Sequence, residues 1–157
     1  MTESQTTTTT TPSAPVRLEF VVTLYPHPVL RKRAQDVPVN DQTRATVQAM
    51  FECMVRSDGC GLAAPQVGED IRLAVIDCSF DPECISFLKV NGEDAELQSI
   101  MPLVFINPEL EYGEEKEPDF EGCLSIRGIR AEVRRPIEVK ATLPQLDGSV
   151  LVVETDG

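Results

Sequence analysis

Tryptophan is absent from these 157 residues, histidine occurs once and tyrosine twice, and aromatic residues make up only 5% of the chain. Positive charge is also scarce: 14 Lys and Arg stand against 26 Asp and Glu, a net charge of −12. That balance excludes general affinity for phosphate backbones or anionic membrane surfaces, so no direct nucleic-acid partner is expected. Long apolar runs are missing too, and none approaches the roughly 20 residues of a membrane span. The five cysteines are odd in number and irregularly spaced, with no charged-then-apolar leader before them, a usage that fits a reducing cytoplasm better than secretion.

What remains is the composition of one ordinary globular domain, long enough to bury a core without disulfide or metal staples. Residues 1–17 stand apart. The stretch "TESQTTTTTTPSAP" at 2–15 has no side chain more apolar than alanine, so residues 1–17 are expected to be a disordered Thr-rich tail and 18–157 the folded part. An organelle transit peptide is the lesser reading of the tail, because such leaders are Arg-rich and Arg17 is its first basic residue.

From Leu18, "LEFVVTLY" reads as a strand or extended segment, broken by "PHP" at 26–28. Asp41 is placed to cap a helix whose apolar positions Val47, Met50, Phe51, Met54 and Val55 fall at helical spacing, ending near Asp58 and Gly59. "IRLAVID" at 71–77 and "LVFINP" at 103–108 read as strands, and residues 78–101 between them as a less regular excursion. Alternation over 137–143, then Asp147-Gly148 and "SVLVVE", predicts an antiparallel hairpin. One helix among short strands makes an α+β domain. The run Glu109 to Glu121, seven carboxylates and one lysine, reads as a solvated strand edge guarded by charge.

Two loops of small residues carry the chemistry. In "GCGLAAPQVG" at 59–68, Gly59 and Gly61 are expected to take backbone angles closed to other residues and to let a ligand's main chain approach, while Pro65 fixes the direction before Gln66. A rigid carboxamide is a neutral donor suited to an oxygen that gains negative charge during reaction. In "EGCLS" at 121–125, Cys123 lies in a segment of turn character, and a thiolate is a strong ligand for a transition metal. Each loop alone has a plain alternative: a tight helix-to-strand connection for the first, a small buried hydrophobe for the second.

Together, "GCGLAAPQ" and "EGCLS" resemble two of the three signature motifs of the peptide deformylases, metal-dependent enzymes that remove the formyl group from the initiator methionine of new polypeptides. "YPHPVLRKRAQDV" at 25–37, the helix before the first loop and "FINPEL" at 105–110 extend the resemblance over nearly the whole chain beyond the tail. It implies that Cys123 is a metal ligand, and that the Leu124 amide and the Gln66 carboxamide stabilise the oxyanion of a tetrahedral intermediate. Gly61 would offer backbone contacts to the formyl-methionyl group, Gly59 would let the loop pass close, and Cys60 stands where the family usually has an aliphatic residue. Arg130 falls at a position often held by a substrate-contacting arginine. The implied cofactor is Fe2+, replaceable by Ni2+, Co2+ or Zn2+, and the implied partner is the formyl-methionyl nascent peptide near the ribosome, in the cytoplasm of a bacterial-type cell.

The third motif of that family, a helical HExxH, does not occur here. Its two histidines four apart would share one metal and its glutamate would handle the proton of the attacking water. His27 is the only histidine, between two prolines, and reads as a surface loop residue. The chain stops at "VVETDG", where in the family an Asp-Gly pair opens the final helix with Asp156 as its cap, so a C-terminally truncated deformylase is the expectation. Loss of that helix is expected to expose apolar surface and leave the chain marginal. A metal-free relative that only grips peptide amino termini is the alternative. A structural zinc site of Cys53, Cys60, Cys78 and Cys84 is a lesser one, since their spacing lacks paired close turns.

Overall fold

The computed structural model describes residues 18–81 and 84–156, so the expected tail over 1–17 lies outside the described residues. In chain order the elements are α1 (Asp41–Arg56), β1 (Gly61–Ala63), β2 (Leu73–Ile76), β3 (Leu88–Val90), β4 (Glu93–Asp94), β5 (Leu103–Ile106), β6 (Glu109–Tyr112), β7 (Lys116–Cys123), β8 (Ile126–Pro136), β9 (Glu138–Pro144) and β10 (Val150–Asp156), with short 3-10 helices at Pro28–Arg31, Ala64–Val67 and Leu97–Ser99. All strand pairs within the sheets are antiparallel. They form a sheet ordered β1-β2-β5, a second ordered β4-β3-β10-β9-β6, and a separate ribbon of β7 and β8. The fold is α+β.

The helix begins one residue earlier than its sequence signals. Asn40, not Asp41, is the cap: its backbone is extended at φ −149°, and its Oδ1 accepts the Thr43 amide at 2.9 Å, leaving Asp41 as the first helical residue. Val47, Met50 and Met54 are buried as expected, whereas Val55 is 72% exposed, because it follows Met54 by a single step around the helix. The helix stops where Asp58 turns left-handed at φ 55°. The Asp58 amide then reaches Val55 O and the Gly59 amide reaches Met54 O, both at 3.1 Å, which satisfies the last carbonyls and delivers the chain into β1.

Alternation along β2 and β5 builds two cores. Leu73, Val75 and Ile106 join Val47, Met50 and Met54 in the core beneath α1. Leu103, with Ile76 and Phe105 packed around it, belongs to a second core with Leu88, Ala141, Leu143 and Val153 of the larger sheet. The small sheet therefore lies between the helix and the large sheet. Asn107, left-handed at φ 44°, fixes one corner: its side chain accepts the Val37 amide and donates to the Val37 carbonyl, each at 2.9 Å.

The excursion over 78–101 is more ordered than its composition indicates. It supplies β3 and β4, which extend the large sheet through pairing of β3 with β10. Asp156, the expected cap of a final helix, stands at a strand end among the described residues. It is the last residue of β10, and its carboxylate accepts the amides of Ser86 at 2.7 Å and Phe87 at 3.2 Å, together with the Ser86 hydroxyl. In the acidic run, β6 is indeed a sheet edge. The ribbon that follows was not signalled, since β7 has no apolar face and almost every residue of it is exposed.

Candidate active site

The two loops of small residues meet. Gln66 sits in the 3-10 turn Ala64–Val67, and its Oε1 accepts the Ala63 amide at 2.9 Å, which closes the turn from within. That bond fixes which end of the carboxamide faces outward. Nε2 points to the other loop, 3.8 Å from Cys123 Sγ and 3.4 Å from Ser125 Oγ. The thiol is exposed, whereas Ser125 is 4% exposed and anchors the contact from below.

Cys123 ends β7, and Leu124 and Ser125 form the turn into β8. The ladder is irregular beside it: Gly122 opposes Arg130 but Cys123 opposes Ile126, so Arg127, Gly128 and Ile129 bulge from the ribbon, with Gly128 at φ 73°. Bulges of this kind bend a strand and re-aim the neighbouring side chain. A bidentate pair holds the strands nearby, Arg135 donating to both Glu121 oxygens at 2.7 and 2.8 Å. That hydrogen bonding keeps the Glu121 carboxyl below its ordinary range.

A third segment ties the loops together. Residues 18–24 run extended outside any sheet, as one of the two sequence readings allowed. The Thr23 amide donates to Gln66 O at 2.7 Å and the Tyr25 amide to Ser125 O at 2.9 Å. One short piece of chain thus sets the distance between carboxamide and thiol.

Neither Gly59 nor Gly61 has positive φ, and the left-handed glycine of this loop is Gly68 at φ 89°; Gly59 owes its identity to space. A Cβ on Gly59 would meet Leu124 Cδ1 at 2.7 Å, so the missing side chain is what lets Leu124 lie against the loop. At Gly61 a Cβ would make only ordinary contacts, 3.8 Å from Val75 O and 4.0 Å from Ile76. Gly61 opens β1, an edge of its sheet, and with Cys60, Gln66 and Cys123 it lines a cleft of about 1020 Å³.

Arg130 lines the same cleft and donates across the ribbon to Phe120 O at 2.8 Å. Arg56, Asp58 and Arg127 also line it, and sequence reasoning had not singled them out. Ser125 was missed as well, its one sequence signal being a place two residues after Cys123. His27 lies elsewhere, exposed, with Nδ1 accepting the Val29 amide at 3.3 Å at the start of a 3-10 turn. The zinc alternative is overturned: Cys53 is buried inside α1, and among the described residues no group of three or more His, Cys, Asp or Glu could hold a metal ion.

Residues 20–157 match the family model described as polypeptide deformylase. The chain belongs to that family. It is 41% identical over 135 residues to a peptide deformylase of Methylacidiphilum infernorum, an alignment that covers 85% of this chain and 70% of the relative. With a peptide deformylase of Acidobacterium capsulatum it is 41% identical over 125 residues, 79% of this chain and 65% of the other. The chain therefore spans about two thirds of the length of these relatives. A crystal structure of peptide deformylase from Thermotoga maritima superimposes with a TM-score of 0.72 at 33% identity, over 89% of this chain and 83% of that one.

Deformylases are metal-dependent, so the donors described here must be weighed against that need. A catalytic metal takes three protein ligands and keeps one position open. Cys123 offers one soft donor at the cleft, and Gln66 beside it is an amide whose outward end is a donor of protons, not of electrons. The described residues do not fit a catalytic metal site. What they do present at the cleft is a fixed N–H of Gln66, the turn at Leu124 and an edge strand.

Proposed function

We propose that the cleft receives the formyl-methionyl end of a nascent polypeptide, and that the reaction it serves is hydrolysis of the formyl amide to formate and a free amino terminus. The carrying observation is the approach of Gln66 Nε2 to Cys123 Sγ, 3.8 Å, at one end of the cleft. As water adds to the formyl carbon, its oxygen gains charge, and donors fixed in advance bind that oxygen more strongly in the transition state than before it. Gln66 supplies one such donor. The Leu124 amide, at the turn beyond the last ladder pair, supplies a second. Gly61, on the edge strand β1, offers backbone groups to an extended peptide, with Cys60 beside it on the wall.

In this reading Cys123 would be one ligand of the metal, Fe2+ or in its place Ni2+, Co2+ or Zn2+. The two histidines that would accompany it are not supplied by a chain whose only histidine is His27. The partner is the nascent chain close to the ribosome, in the cytoplasm of a bacterium, and no helix among the described residues is long and apolar enough to cross a membrane.

Titration of the chain with an N-formyl-methionyl peptide and with its unformylated twin tests the reading. We expect tighter binding of the formylated peptide, and loss of that preference in Gln66→Ala. Equal affinity for both peptides would overturn it. Formate release with and without each added metal then separates hydrolysis from simple retention of peptide amino termini.

A further inference from the structure

Beside the cleft, whose wall includes Cys60, two further cysteines follow β2. Two backbone bonds follow β2: the Asp81 amide donates to Cys78 O at 3.1 Å and the Cys84 amide to Asp81 O at 3.3 Å. These bonds keep Cys84 on the same corner as Cys78, near enough for its thiol to act on that of Cys78. The Asp77 amide donates to Cys60 O at 2.8 Å and ties the main chain of Cys60 to the same corner. Cys84 is exposed and Cys78 half-buried, packed against the core of the large sheet. Burial first, then the neighbouring thiols and Asp77, pushes Cys78 up to about 11, so it keeps its proton at neutral pH. Neither Cys78 nor Cys84 lines the cleft that holds Gln66 and Cys123.

We propose that Cys78 and Cys84 are a reversible dithiol–disulfide pair, a modification site separate from the cleft, oxidised by low-molecular-weight disulfides. The exposed Cys84 meets the oxidant first. Its thiolate attacks one sulfur, the oxidant's S–S bond breaks, and the departing thiolate takes up a proton. Cys78 then gives its proton to solvent and attacks Cys84 Sγ, expelling the second small thiol. The protein loses two electrons and two protons, and the oxidant gains both as two thiols. The bridge closes a short loop directly after β2 and leaves Cys60 free.

The test uses the full chain in its folded state and does not depend on the deformylase reading. It is treated with oxidised glutathione, its free thiols are alkylated, and it is digested with trypsin. One tryptic peptide, residues 73–89, contains both cysteines and no other. We expect this peptide to escape alkylation at both positions, to weigh less than the reduced peptide by two hydrogen atoms, and to regain both labels after reduction. Cys84→Ser, at an exposed position, should abolish the effect, and Cys78→Ser should stop at a glutathione adduct on Cys84. Unchanged labelling of both cysteines, a Cys60–Cys84 link, or an adduct on Cys84 of the unmutated chain that never closes would each overturn the assignment.

Discussion

Gly59 and Leu124 share one small volume: a methyl group on the glycine would sit 2.7 Å from the leucine Cδ1. The loop with the carboxamide and the loop with the thiol are therefore fitted to each other through an absent side chain. Gly59→Ala would press on the free end of a flexible side chain, so Leu124 can swing away at little cost. We expect a thermal midpoint near that of the unmutated chain together with a severalfold loss of preference for formylated peptide. A large drop in melting temperature with the preference intact would show that the contact serves folding alone.

Gln66 has two ends with two jobs. Oε1 holds the Ala63 amide and Nε2 faces Cys123 and Ser125. Gln66→Glu keeps an acceptor for Ala63 but removes the N–H, so the turn should survive while the donor is lost. The expected result is a folded chain with no preference for the formyl group. Where formate release can be followed, the loss of one such donor should lower it by about 10²–10³.

Asn107 makes two hydrogen bonds to Val37 from a left-handed backbone that asparagine tolerates and alanine does not. Two bonds at the usual net value give about 1–3 kcal/mol for Asn107→Ala, measured by denaturant unfolding. Asn107→Gly relieves the backbone but not the lost bonds, and should fall between the two.

Asp156 is held below its ordinary range by the Ser86 hydroxyl, then by the amides of Ser86 and Phe87. Because the folded-state value is the lower one, the carboxylate's contribution is complete above the unfolded carboxylate pKa of about 3.9 and disappears as pH falls through the folded value. Amide chemical shifts of Ser86 and Phe87 should titrate together, with a midpoint below that of a free aspartate. A midpoint at the free value would mean that the carboxylate does not hold this corner in solution.

Much of this architecture was legible in the letters. The helix and the β9–β10 hairpin each bury one regular face, which leaves a period in the sequence, while β2 and β5 feed a core on either side and show as short apolar runs. Asn40 and Asp41 are both good caps, and only backbone geometry chose between them. The β7–β8 ribbon left no such mark, because its strands are held by their ladder and bury almost nothing. Sequence alone also misread Gly59, since the reason for a missing Cβ lay in Leu124, far along the chain. The meeting of Gln66 with Cys123 could be inferred only from the pairing of two motifs, and Ser125, buried under both, had a signal too short to read.

The extended segment before the first proline acts as a caliper. Its alternate amides at Thr23 and Tyr25 grip the two loops, so their separation is set by two residues of one chain. Proline at either position would remove one grip without touching any group in the cleft. Variation in this unremarkable stretch should therefore change how well the carboxamide and the thiol address one carbonyl, and residues far from the chemistry inherit a share of its geometry.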